Sequence, residues 1–243
     1  MQDITKALEA LLREAGAAKV GFGRLDSVPG ELRRHLPVGV SVAVLIPGHV
    51  VRDIARMPTM EYHEQYGILN QRLDDIVTVG ETFLRELGYQ AVANTREAVR
   101  EGMTEFATIL PHKTVATRAG VGWIGKCALL VTAEYGSMIR LSSLLTDAPL
   151  ETGEPINESK CGACTVCKDG CPAGAVSGKL WHISMPRDEF WDAGRCKETA
   201  LMRSFESYGI KETLCGKCIA ICPYTKRYLD GGLQAEKNAV GNG

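Results

Sequence analysis

Residues 160–175 read KCGACTVCKDGCPAGA and place Cys161, Cys164, Cys167 and Cys171 at the spacing Cys-x2-Cys-x2-Cys-x3-Cys-Pro. So dense a loop suits an iron–sulfur cubane: three thiolates wrap one cluster, the fourth crosses to a neighbouring cluster, and the proline turns the chain away. A second run, Cys215, Cys218 and Cys222-Pro223, repeats the last three positions of the pattern and lacks the first. Cys196 is the natural substitute, provided the intervening segment folds back. The crossover rule then assigns Cys161, Cys164, Cys167 and Cys222 to one [4Fe-4S] cluster and Cys171, Cys196, Cys215 and Cys218 to the other. A pair of structural zinc sites is the alternative, because zinc also uses CxxC knuckles. The density of the first run and the proline after both terminal cysteines favour cubanes.

The rest of the chain fits a reducing compartment. Nine cysteines follow an amino terminus, MQDITKALEALLREAG, that reads as a charged amphipathic helix rather than a signal peptide. Clustered thiols without an export signal point to metal rather than disulfides, and a cytoplasmic location is expected. No apolar run approaches the length of a membrane-spanning helix. With 28 Lys and Arg against 29 Asp and Glu, the net charge of -1 provides no global basic field for nucleic acid. A length of 243 residues, 45% of them hydrophobic, suffices for one sizeable domain and a small module.

Ile4, Leu8, Leu11, Leu12 and Ala15 share a helical face ahead of Gly16, and residues 19–25 read as a strand. SVAVLIPG, residues 41–48, is a buried strand closed by Pro47-Gly48. Apolar residues from Tyr66 to Leu87 keep helical spacing up to Gly88, and YQAVAN follows as a strand. This alternation predicts a three-layer α/β domain over residues 1–155. The polar stretch ETGEPINESK marks the boundary to a small double-cluster domain over 156–232, and residues 233–243 form a flexible tail. The fold class expected overall is α+β, an α/β domain followed by a bacterial-ferredoxin-like module.

Residues 120–127, GVGWIGKC, satisfy G-x-G-x-x-G and miss the P-loop pattern only at Cys127. Both motifs need a buried strand before the loop and a helix after it, so that phosphate sits on the helix amino terminus. HKTVATRA upstream is not an apolar strand, and CALLVTAEYGSMIRLSSLL downstream reads as strand, turn, strand. A tight turn with Trp123 in the core is therefore expected in place of a nucleotide site. Cys127 reads most simply as a small buried hydrophobe, with a thiol near a redox centre as the functional alternative.

Taken with the cysteines, the stretches EYHEQYGILNQRLDDI (61–76), AGVGWIGKCALL (119–130), GSMIRLSSLLTD (136–147), GRCKETAL (194–201) and CGKCIAICPYTKR (215–227) resemble the epoxyqueuosine reductase family and, more distantly, corrinoid-dependent reductive dehalogenases. That resemblance implies a cobalamin-type domain related to nitroreductase-like folds, and a two-cubane module that feeds it electrons from a ferredoxin- or flavodoxin-type donor. It also makes Gly122, Trp123, Gly125 and Lys126 candidate contacts to a cobalamin. The family's acidic proton donor precedes the glycine loop, where this chain has Phe106 to Leu110, leaving His112 and Cys127 as the catalytic candidates. The chain ends soon after Cys222, where family members often continue into helical repeats that contact tRNA. With the neutral charge, this leads to the expectation that tRNA is an unlikely partner and that a small molecule or cofactor is the substrate. An electron carrier without an organic cofactor is the alternative, and a flavin in the first domain a third reading.

Overall fold

Asp3 opens the first helix by accepting from Thr5 N at 3.0 Å and Lys6 N at 3.4 Å, the capping geometry that satisfies otherwise orphaned amides. In the computed structural model, which describes residues 3–101, 103–104 and 107–240, the elements follow as α1 (Ile4–Glu14), β1 (Lys19–Arg24), β2 (Val38–Leu45), α2 (Gly48–Asp53), α3 (Met60–Glu86), β3 (Ala91–Ala93), α4 (Arg96–Arg100), α5 (His112–Arg118), β4 (Trp123–Ile124), β5 (Leu130–Val131), β6 (Ile139–Thr146), α6 (Val166–Asp169), α7 (Ala193–Tyr208), α8 (Lys217–Ile221) and α9 (Pro223–Val240). The fold is a mixed α+β one, and no helix among the described residues is long and apolar enough to cross a membrane.

The chain packs into two units. One comprises the chain up to Leu45 with Tyr66–Trp123 and Arg140–Asn157, and carries a sheet of order β1-β2-β6-β3. β1 pairs antiparallel with β2, and β3 antiparallel with β6. Leu144 of β6 packs with Leu8, Leu12 and Gly80 of α1 and α3, whereas Leu145 joins Leu25, Leu36 and Val115 on the other side. Helices thus cover both faces. β2 is buried on both faces for that reason, and its continuous apolar run resembles a parallel strand although its partner β1 runs antiparallel. Gly21, Gly23 and Gly39 let α5 and the segment after it approach the sheet. A Cβ at Gly23 would lie 2.4 Å from the Arg118 carbonyl carbon and 2.5 Å from Ala119 N.

The other unit takes Ile46–Gln65, Ile124–Ile139 and the chain from Glu158 onward. A single cut at residue 155 therefore does not describe the packing. The carbonyls of Ala55, Arg56 and Pro58 accept from Lys217, Arg203 and Ser207 of α8 and α7, which fixes the first inserted segment. Thr225 Oγ1 accepts from Ser137 N at 3.1 Å and fixes the second. Helix α9 continues through residues 233–240, expected to be a loose tail, because LQAEKNA is rich in helix formers. Residues 241–243 lie outside the described residues.

Replacing Gly23 by Ala should lower stability by about 1–3 kcal/mol, the usual cost of forcing a methyl group into packed atoms. Gly67→Ala, on α3 with nothing within 4 Å of the added carbon, should raise it by about 0.5–1 kcal/mol. Urea midpoints of the two variants check both signs.

Candidate metal centre

The two cysteine runs fold alike. In Cys161-Gly162-Ala163-Cys164 and Cys215-Gly216-Lys217-Cys218 the glycine after the first cysteine takes a left-handed conformation, φ +54° and +71°. Cys167 then lies on α6 and Cys218 on α8, and these two short helices pack together. Glycine is needed at 216 on steric grounds too, since a Cβ there would meet Ile54 at 2.5 Å. After the first run, Ala175 N donates to Cys171 Sγ at 3.4 Å. Asp192 caps α7 by accepting from Arg195 N at 2.9 Å, and the next residue is Cys196. Burial, then the neighbouring thiols of Cys171 and Cys215, push the Cys196 thiol up to about 11. The long detour between the runs thus returns Cys196 beside two residues of the set assigned to the second cluster.

All nine cysteines are free thiols, eight partly exposed and Cys127 buried. As a donor set, eight soft sulfur ligands in two interleaved groups suit iron–sulfur clusters. Among the described residues, no group of three or more His, Cys, Asp or Glu side chains is drawn together as ligands of a single ion would be.

The glycine loop has the reverse context of a nucleotide motif, with helix α5 before it and the hairpin β4–β5 after it. Its glycines answer to packing: a Cβ at Gly120, φ +67°, would meet the Glu154 carbonyl oxygen at 2.7 Å, and one at Gly125 would meet Val131 at 2.8 Å. Gly122, Trp123, Gly125 and Lys126 are all buried by the protein itself. Lys126 Nζ donates to the Cys164 carbonyl at 2.8 Å, so its ammonium group is turned to the cysteine array. These four residues, read as cobalamin contacts from the sequence, are packed here against the protein's own atoms. The Cys127 thiol is coupled electrostatically to those of Cys167 and Cys218. Coupling to Cys167 lowers its pKa, but coupling to Cys218 and burial outweigh it, and the thiol is held well above its ordinary range.

The first unit holds a polar cluster that the sequence signals only through Ser142 and Ser143 in an otherwise apolar strand. Asn94 Nδ2 donates to Ser143 Oγ at 3.0 Å, His112 Nδ1 lies 2.9 Å from the same oxygen, and Ser142 Oγ donates to the Asn94 carbonyl at 3.1 Å. Arg140 stacks on the Tyr66 ring at 3.9 Å and donates to Asn70 Oδ1 at 2.7 Å. Beside this cluster a cavity of about 180 Å³, lined by Arg34, Asn94, Glu101, Leu110 and Leu145 among others, is small even for a drug-sized ligand. Of Phe106 to Leu110, the stretch expected in place of an acidic residue, Phe106 lies outside the described residues.

Burial, aided by the positive charge of Arg140, lowers the His112 pKa from 6.5 to about 4. The imidazole is neutral at neutral pH, which makes it a poor proton donor and corrects its candidacy as the acid. Because the folded value lies below the unfolded one, stability from this residue is complete above about pH 6.5. It is lost as pH falls from there towards 4, by up to about 3 kcal/mol at 1.4 kcal/mol per pKa unit. Urea midpoints between pH 7 and 4 should fall, and His112→Gln should flatten that slope.

No family model matches the chain. An epoxyqueuosine reductase of Lactococcus garvieae is 30% identical over 173 residues, 68% of this chain and 42% of that protein. A crystal structure of an epoxyqueuosine reductase with an epoxyqueuosine-modified tRNA-Tyr stem loop aligns with 92% of this chain and 65% of its own, at TM-score 0.59 and 22% identity. A reductive dehalogenase, whose structure suggested a mechanism for B12-dependent dehalogenation, aligns with 96% of this chain and 34% of its own, at TM-score 0.69 and 16% identity. The chain spans less than two thirds of the length of the curated relatives it matches. These findings correct the expectation that tRNA is an unlikely partner, because the sequence relatives are epoxyqueuosine reductases and a neighbour in fold was solved with a tRNA stem loop. A near-zero net charge is a sum over the whole chain and says nothing of a local nucleic-acid surface. By sequence the chain is similar to epoxyqueuosine reductases, and it shares its fold with a solved epoxyqueuosine reductase and a solved reductive dehalogenase.

Proposed function

We propose that this chain is an iron–sulfur oxidoreductase in which two [4Fe-4S] clusters pass single electrons to an acceptor served by the first unit. Cys161, Cys164, Cys167 and Cys222 hold one cluster, and Cys171, Cys196, Cys215 and Cys218 the other. The observation that carries this reading is the return of Cys196 to Cys171 and Cys215 across a detour that neither ferredoxin-like run contains. When bound, such clusters supply one-electron transfer. The protein's part is to fix their ligands and to limit solvent around them.

The relatives make a corrinoid the first cofactor to try, and an epoxyqueuosine-modified tRNA stem loop the first acceptor. Gly122, Trp123, Gly125 and Lys126 are the residues offered for a corrinoid, and a low-potential ferredoxin- or flavodoxin-type protein is the electron source. A pure electron carrier is the second reading. It is favoured by the neutral state of His112, which removes that residue as a proton donor.

Protein purified without oxygen should carry about eight irons per chain. Cys161→Ala, Cys215→Ala and Cys196→Ala should each reduce this to about four. Full iron in the Cys196 variant, or zinc in place of iron in the parent, would refute the ligand assignment. Turnover of the modified stem loop with a chemical reductant separates reductase from carrier: eight irons with no turnover, and no change in the spectrum of added cob(II)alamin, identify the carrier.

A further inference from the structure

The tip of the β4–β5 hairpin is a tight turn in which Ala128 N donates to the Gly125 carbonyl at 2.9 Å. Lys126 and Cys127 occupy its two central positions, so both side chains leave the tip of the loop. Neither goes to solvent: Lys126 is 5% and Cys127 7% exposed. Lys126 Nζ reaches the Cys164 carbonyl at 2.8 Å, and the Cys127 thiol is coupled electrostatically to those of Cys167 and Cys218. Ala128 closes the turn at φ +62°, a left-handed conformation that costs a non-glycine residue about 1 kcal/mol or more. It is held there by packing against Trp181 and Phe190. The unit thus tolerates backbone strain and buries an ammonium group in order to seat this tip on the cysteine array.

Resting on the cluster assignment above, we propose that Lys126 and Cys127 are positioning residues that set the reduction potentials of the two clusters. Cys167 is assigned to one cluster and Cys218 to the other, and Cys127, the one cysteine outside both ligand sets, adjoins a ligand of each. With iron bound, both neighbours are thiolates, and Cys127 S–H is the donor for either. Reduction adds negative charge to a cluster. A hydrogen bond to its ligand sulfur and a buried cation beside its ligand loop stabilise the reduced form and raise the potential. Lys126, bonded to the backbone of Cys164, acts on the cluster of Cys161, Cys164, Cys167 and Cys222. Cys127 acts on both.

The test is an anaerobic redox titration of the full chain followed by EPR, with iron counted on the same samples. Cys127→Ala should keep the parent's iron and move both midpoints to more negative values, and Cys127→Ser, which retains a donor, should bring them part of the way back. Lys126→Met should also keep iron and shift one midpoint downward, leaving the other nearly in place. Unchanged midpoints in Cys127→Ala and Lys126→Met at full iron would overturn the proposal. Iron halved in both Cys127 variants would overturn it too, by making Cys127 a ligand. A parent chain without iron would instead refute the cluster assignment itself, before any variant is compared.

Discussion

Eight thiols gathered in one unit are the constraint on which the rest of the structure depends. Close thiolates repel, and each resists burial in its charged form. Without metal the thiols therefore stay protonated; a cluster neutralises the thiolates it binds, and its binding free energy becomes folding free energy. The supports around the array fit this demand. Left-handed glycines 162 and 216 turn the two CxxC loops, a capped helix returns Cys196, and the Lys126 ammonium group lies against the first loop. The unit also recruits Ile46–Gln65 and Ile124–Ile139 from earlier in the chain, so that its stability does not rest on residues after 158 alone.

The cysteine runs were legible in the sequence because their chemistry is local: the spacing fixes how a short loop can present its sulfurs. The strand, turn and strand after the glycine loop were legible for the same reason, with Gly136 at the turn at φ +59°. Strand direction was not. β2 is covered on both faces, and an antiparallel strand buried in this way has the apolar run of a parallel one. The inserted segment 46–65 was equally hidden, because what ties it down are the carbonyls of Ala55, Arg56 and Pro58, and a backbone acceptor leaves no mark on residue type.

Lys126 shows how a motif misleads when its partner is backbone. A lysine after a glycine-rich loop suggests phosphate or a cofactor, yet its acceptor is the carbonyl of Cys164, which any residue there would supply. His112 is a similar case. Its place near the loop suggested an acid, while burial beside Arg140 makes it a neutral partner of Ser143. The relatives supply what neither observation could, the link to epoxyqueuosine reductases and to a tRNA-bound neighbour.

On the proposed ligand assignment, this unit holds two interacting one-electron centres. Stoichiometric anaerobic titration with dithionite, with EPR spins integrated at each step, measures that number directly. Two such clusters take up two electrons per chain and give two paramagnetic centres whose signals broaden each other at full reduction. Uptake of one electron, or none with a diamagnetic protein throughout, would contradict the assignment.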